Sequence, residues 1–445
     1  MTPGARIKAA TEILEHLMRT GEPADRHLKG WGAKNRYAGS KDRRFLRELI
    51  FNAQRHRASY EAAMGEGSPR ALTLAAVRWG QDFDVEALAK VCTGEGHNAP
   101  ALSEVEKAAL APDAAPEVLE WPAWALEELG QGRADDETQA LARALNEIAP
   151  LDLRVNAAKA ERGAVLSALE AVGFGAKAAG LSPLGIRIER TATDMESQNV
   201  RGLPLFQDGR IEVQDEGSQL VALLAGAKPG DQVVELCAGG GGKTLVLGAG
   251  LEGKGQLYAC DTNEQRLRAG QTRVKRAGLH VVQPKVISSW DPASDASKGG
   301  PDPDLEEIEG KADLVYLDVP CSGSGAWRRQ PDGKWNLTPE RLEEFLGVQA
   351  AILQRGARLV KPGGQLVYVT CSVFARENGI QVRAFLDTDA DFAAQPVRQL
   401  WESHITQPFP SSLEGGLVDE NFLQLSPPVS GTDGFFFAAF TKTPG

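Results

Sequence analysis

At 445 residues the chain is long for one hydrophobic core and points to two or three domains, while 42% hydrophobic and 24% charged residues are ordinary for a globular protein. No stretch approaches the roughly 18 apolar residues of a membrane span and the N-terminus has no signal-peptide core, so a cytoplasmic protein without membrane association is expected. The net charge of −11 argues against indiscriminate nucleic-acid binding by the chain as a whole.

Residues 1 to 60 depart from that average, with thirteen Lys and Arg against six Asp and Glu. From Ala5 to about Leu145 apolar residues recur at threes and fours, as in Ile7, Ala10, Ile13, Leu14 and Leu17, which predicts an all-helical domain over residues 1–145. Its basic segment is either a solvated surface or an RNA-binding face. Within it KDRRFLRELIFNAQRHRASYEAAM resembles the helix after a basic loop in the NusB-related RNA-binding fold, and that likeness implies a NusB-like domain.

Near Pro150 the pattern changes. LDLRVNAAKAERGAVLSALEAVGF, GIRIER and GRIEVQDEG read as short strands around a helix, a small α+β satellite domain over residues 146–213. From Gln214 strands and helices alternate, which specifies a doubly wound, mostly parallel sheet over residues 214–445. FLQLSP and GFFFAAFTK would add an antiparallel hairpin at its edge. The acidic, Gly/Pro-rich stretch from Ser288 to Lys311 reads as a surface loop.

Two places carry chemistry. VVELCAGGGGKT sets four glycines between a strand and a helix, where backbone N–H groups can approach a ligand. GGKT resembles the end of a phosphate-binding P-loop, but Cys237 stands where that pattern needs glycine. The other candidate is a nucleoside pocket, with Glu235 and Gly239 to Gly242 at the first strand and Asp261, in YACDTN, at the tip of the second. A carboxylate there accepts from two vicinal ribose hydroxyls; alternatively Asp261 merely caps the following helix.

LVYLDVPCSGSG and LVYVTCSVFAREN each end an apolar strand in a thiol. The cysteines (Cys92, Cys237, Cys260, Cys321, Cys371) are five, widely spaced, with no Cys-x-x-Cys and no His pairing, so neither disulfides nor a metal is expected. Alkylating carbon 5 of a pyrimidine calls for a thiolate that adds at carbon 6, a carboxyl near ring nitrogen 3 and a group that helps expel the enzyme. Asp318, Cys321 and Cys371 supply such groups.

LDVPCSGSGAWRRQPDGKW, YVTCSVFAREN, CAGGGGKT and GTDGFF together resemble the signature segments of the Sun-type (RsmB/Fmu-like) RNA cytosine-5 methyltransferases. The resemblance implies a class I methyltransferase fold, S-adenosylmethionine as cofactor, and ribosomal RNA with an accessible, looped or single-stranded cytosine as partner. It further implies Cys371 as nucleophile, Cys321 assisting release, Asp318 at the cytosine and beside the cofactor, and Lys243 reaching the site. Cys237, Ala238, Gly239, Gly240, Gly241, Gly242, Lys243 and Asp261 would hold the cofactor, with Asp291 at the adenine and Asp295 as its competitor. Gly240 replaces the family's usual proline, which loosens the turn. Arg328, Arg329 and Lys334 would face the phosphate backbone, and a monomer is expected. The competing readings are a P-loop NTPase and an inactive RNA-binding assembly factor.

Overall fold

The computed structural model describes residues 1–81, 83–189, 200–289 and 302–444, and the chain divides into two compact units, Met1–Glu147 with Trp327–Thr338, and Ile148–Ala326 with Pro339–Gly445. Among the described residues no helix is long and apolar enough to cross a membrane.

The first unit is helical. Thr2 accepts a hydrogen bond from the Ala5 N–H at the start of the helix Pro3–Thr20, and Gly21 closes that helix at φ +65°, a conformation cheap only for glycine. Ile7, Ala10, Ile13, Leu14 and Leu17 form one stripe and are buried in a core shared with Leu46, Leu49, Ile50 and Leu72. Each such leucine or isoleucine contributes roughly 1.5–3 kcal/mol by leaving water. Two histidines meet here: Glu22 Oε2 accepts from His16 Nε2 at 3.1 Å and His27 Nδ1 at 3.0 Å. Those two bonds hold the Glu22 carboxyl below its usual range.

Trp327–Thr338 packs in this unit, although it follows Cys321 in sequence. The Trp327 ring lies 4.8 Å from that of Trp121, Trp335 Nε1 donates to the Gln54 carbonyl at 2.7 Å, and Asp332 accepts from the Ala24 N–H at 3.0 Å. This corrects the expectation of a phosphate-facing segment at Arg328 and Lys334, which are only 4% and 2% exposed. Lys334 Nζ donates to Asn146 Oδ1 at 2.8 Å, and burial pushes its ammonium down to about 7. A basic side chain carries a long apolar stem, so its charge in a sequence does not predict its exposure.

In the second unit four short strands, β1 (Leu151–Val155), β2 (Ala176–Ala178), β3 (Gly185–Ile188) and β4 (Ile211–Val213), form an antiparallel sheet in the order β2-β3-β1-β4. The helix Arg162–Ala171 buries Val165 and Leu169 in the same core as Leu153 and Ile186. The satellite expected to end at residue 213 shares one compact unit with the larger sheet.

That sheet comprises β5 (Gln232–Leu236), β6 (Gln256–Asp261), β7 (Val282–Val286), β8 (Ala312–Asp318), β9 (Val360–Thr370), β10 (Phe392–Ala394), β11 (Leu417–Asp419), β12 (Phe422–Leu425) and β13 (Phe435–Lys442). Its order is β11-β12-β13-β9-β8-β5-β6-β7, with β10 on β13. β9, β8, β5, β6 and β7 run parallel, and β13 pairs antiparallel with both β9 and β12. This is the doubly wound sheet with an antiparallel edge that the alternation predicts. Most of β8 and the second half of β9, from Leu366 to Thr370, are buried, as strands covered on both faces must be. Because the five central strands are parallel, the tips of β5, β6, β8 and β9 open on one edge, where ligands of such sheets bind.

Candidate active site

The glycine turn leaves β5 through Cys237, whose φ of +63° is one that a side chain rarely adopts, and passes Gly239 at +54° and Gly241 at +78°. Side chains clamp it. Asp261 Oδ2 accepts from the Gly239 N–H at 2.7 Å, Arg273 donates to the Gly240 carbonyl at 2.7 Å, and Gln214 and Arg154 both donate to the Gly242 carbonyl at 3.2 Å. These contacts supply the stiffness that a proline at Gly240 would otherwise give. Asp261 also accepts from the Asn263 N–H at 2.7 Å, while Asn263 itself caps the helix Glu264–Ala277.

Beneath the turn, Glu235 is fully buried and accepts from Thr244 Oγ1 at 2.5 Å. Burial pushes its carboxyl up to about 8. The folded protein therefore holds a proton there between about pH 4.5 and 8 that the unfolded chain has lost, so this contribution to stability is full below 4.5 and declines up to pH 8. Glu235→Gln is expected to flatten that slope. Denaturant midpoints from pH 5 to 9 check it, and parallel curves for the two proteins would refute it.

β8 and β9 deliver the two thiols. Asp318 ends β8, and Lys243 Nζ reaches it from the glycine turn with 2.8 Å contacts to both carboxylate oxygens. Lys243 is 8% exposed; burial alone would lower its ammonium, but Asp318 and then Cys371 hold it above its ordinary value. Cys321 Sγ and Cys371 Sγ stand 3.4 Å apart, fifty positions apart in sequence. The hydrogen bond with Cys371, together with burial, pushes Cys321 well above the usual thiol range.

Backbone packing makes this convergence possible. The Gly325 N–H donates to the Cys371 carbonyl at 3.0 Å and the Gly434 N–H to the Gly325 carbonyl at 2.8 Å. A Cβ on Gly325 would come within 2.1 Å of the Gly434 carbonyl oxygen, so the loops after β8 and β9 and the turn before β13 meet with no room for a side chain. The other cysteines are chemically quiet: Cys92 is buried, and burial pushes both Cys237 and Cys260 up to about 12.

Cys237, Lys243, Asp261, Asp318, Cys321 and Cys371 line one cavity of about 530 Å³. Ala238, Gly239 and Gly241 border a separate cavity of about 380 Å³ on the side of the helix Glu264–Ala277. Asp291 and Asp295 lie outside the described residues. Sequence reasoning missed Arg266, Arg355 and Phe435, all of which line the larger cavity. For Phe435 the GTDGFF motif was a signal; for Arg355, inside a long helix, there was none.

Arg355 also amends the picture of Ser288 to Lys311 as a plain surface loop. It bonds the Asp302 carboxylate at 2.8 and 3.1 Å and the Ser288 carbonyl at 2.9 Å. Leu305 and Ile308 are buried in the core.

The family model described as 16S rRNA methyltransferase RsmB/F matches residues 222–441, and that of the RsmF/B-like ferredoxin-like domain matches residues 121–195. A probable ribosomal RNA small subunit methyltransferase B of Synechocystis sp. is 32% identical over 326 residues, 73% of this chain and 68% of the relative. The chain belongs to the RsmB/F family. It is therefore a methyltransferase, and its doubly wound sheet is a class I methyltransferase fold. The Bacillus subtilis relative, also a probable methyltransferase B, is 29% identical over 72% of this chain and 66% of its own length. Among solved structures, a methyltransferase homologue from Pyrococcus horikoshii superposes with a TM-score of 0.55 and 27% identity, over 72% of this chain and 99% of its own. NSun6 from the same organism shares the fold, with a TM-score of 0.60, 19% identity, and 73% and 99% coverage.

Proposed function

We propose that this RsmB/F-family protein transfers a methyl group from S-adenosylmethionine to carbon 5 of a cytosine in ribosomal RNA, through a transient bond between Cys371 and carbon 6. The observation that carries the reading is the thiol pair at 3.4 Å opening on the same cavity as Asp318, Lys243 and Asp261. A P-loop ATPase would leave Lys243 available to phosphates, whereas here Asp318 occupies it. The relatives' names supply the substrate class.

The residues present suit the cofactor. Asp261 lines the cavity with lone pairs left over for vicinal hydroxyls, and the glycine turn reaches the same cavity at its two ends, Cys237 and Lys243. Bound there, S-adenosylmethionine supplies an electrophilic methyl group.

The chain's own residues do the rest. Cys371 adds as thiolate to carbon 6, the S–C bond forming as the ring's double-bond electrons move to make carbon 5 nucleophilic. Asp318 faces ring nitrogen 3 and hands it a proton, replaced from the Lys243 ammonium that contacts both its oxygens, so that the negative charge developing on the ring is neutralised. After alkylation a base removes the proton on carbon 5; its electrons restore the ring double bond, and Cys371 leaves as thiolate. Cys321 assists that release. The base must leave its stack to reach the strand tips, so looped or single-stranded RNA is the substrate, and the basic helices within residues 1–60 supply affinity and placement. The setting is cytoplasmic.

Bisulfite sequencing of RNA from cells with and without the gene tests the proposal. Loss of methylation at a ribosomal cytosine is expected; unchanged methylation, with tight ATP binding by the purified protein, would overturn it. The glycine turn makes a second test. Gly240 lacks a positive φ and a Cβ there meets nothing closer than Arg273 at 3.7 Å, whereas Gly241, at +78°, would press on Gly270 at 3.3 Å. Gly241→Ala is expected to weaken S-adenosylmethionine binding about tenfold, from a strain of ~1–2 kcal/mol, and Gly240→Ala hardly at all. Calorimetry decides, and equal affinities would contradict the assignment.

A further inference from the structure

We propose that Glu377 is the positioning residue that holds Cys321 and Cys371 together as one working pair, an inference that rests on the methyltransferase chemistry above. Glu377 lies six residues after Cys371, in the turn Ala375–Glu377, and is fully buried. Its Oε1 accepts from the Ser322 N–H at 2.8 Å and from Gln349 Nε2 at 3.0 Å. Its Oε2 accepts from the hydroxyls of Ser322 and Ser372, each at 2.5 Å. Ser322 directly follows one thiol and Ser372 directly follows the other, so a single carboxyl grips both loops next to their sulfurs.

Burying a carboxyl is costly unless its lone pairs are filled, and here four donors fill them. Ser324 closes the network, its hydroxyl 3.0 Å from those of both Ser322 and Ser372. Gln349, from the helix Pro339–Leu359, also donates to the Pro320 carbonyl at 3.0 Å and so braces the first loop a second time. A carboxyl needed only for the fold could bond anywhere along these loops. This one bonds the residues that set the distance between the sulfurs, while Lys243 and Asp318 face the pair from the glycine turn and β8.

Glu377→Gln keeps the volume and one acceptor oxygen but turns the other into a donor, forcing both serine hydroxyls to reverse. In the full-length protein, three measurements follow: the melting temperature, single-turnover methylation of ribosomal RNA, and iodoacetamide alkylation of Cys321 and Cys371 from pH 6 to 10, read by peptide mass spectrometry. The variant is expected to melt close to wild type and to bind S-adenosylmethionine normally. Its single-turnover rate should fall on the order of 100-fold, as for a displacement of about 1 Å at the reacting groups. Cys321 alkylation at pH 8 should rise about tenfold as its bond to Cys371 loosens, one pK unit being a factor of ten in thiolate. A folded variant with wild-type alkylation profiles overturns the proposal, whatever its methylation rate. If Glu377→Gln does not fold, Ser372→Ala, which removes the tether beside Cys371 with that hydroxyl's contacts to Ser322, Ser324 and the Phe374 N–H but leaves both Ser322 bonds to Glu377, is read the same way, and an unchanged Cys321 profile refutes the idea. Absence of methylation by the wild-type protein would instead overturn the activity, and the alkylation arm, which needs no RNA, would still judge Glu377.

Discussion

Cys371→Ala protein is expected to bind S-adenosylmethionine and RNA as wild type does and to methylate nothing, a loss on the order of 10⁴-fold or more, as when the nucleophile of a covalent mechanism is removed. Without sulfur at this position carbon 6 has no partner and carbon 5 never becomes nucleophilic. Cofactor binding should survive because the glycine turn is held by Asp261, Arg273, Arg154 and Gln214, and none of those four contacts involves the thiol. Cys371 is half-buried at the end of β9, with strand pairing to β8 and β13 on either side, so removing one sulfur atom leaves the strand's hydrogen bonds in place. Tritium transfer from labelled cofactor to ribosomal RNA measures the outcome. Residual turnover near wild type would show that another group is the nucleophile; Cys321 is the nearest candidate.

Cys321→Ala should behave in the opposite way. Addition and alkylation proceed through Cys371, but release is impaired, so a covalent protein–RNA species accumulates that survives denaturing electrophoresis. Loss of an acid–base partner costs roughly 10²–10⁴-fold, which should appear in multiple turnover far more than in the first. At 3.4 Å from Cys371, Cys321 stands close enough to act on a ring that Cys371 holds without itself being bonded to it. The double variant Cys321→Ala/Cys371→Ala must give no adduct. If Cys321→Ala turned over normally, or if the double variant still cross-linked, the division of labour would be wrong.

Local sequence determined the elements of this protein. Short apolar runs ending in Leu236, Asp261, Asp318 and Thr370 could only be buried strands, and helical periodicity between them left a parallel sheet as the way to bury both faces. Once the strands run parallel, their tips share an edge, and so Cys321, Cys371, Asp318, Lys243 and Asp261 were legible as neighbours from sequence.

What tertiary structure alone decided is distance and burial. Nothing local to Cys321 or Cys371 encodes a separation of 3.4 Å; it arises because Gly325 and Gly434 let three loops touch backbone to backbone. Nor does a formal charge announce its surroundings: Lys334, expected at a phosphate, is enclosed by helices, and Glu377, which drew no attention as a residue of FAREN, sits among four donors from three separate segments. Strand and helix formation is governed by neighbours a few residues away, so a sequence reveals it. The environment of a side chain is set by residues far along the chain, and only the folded protein assembles them.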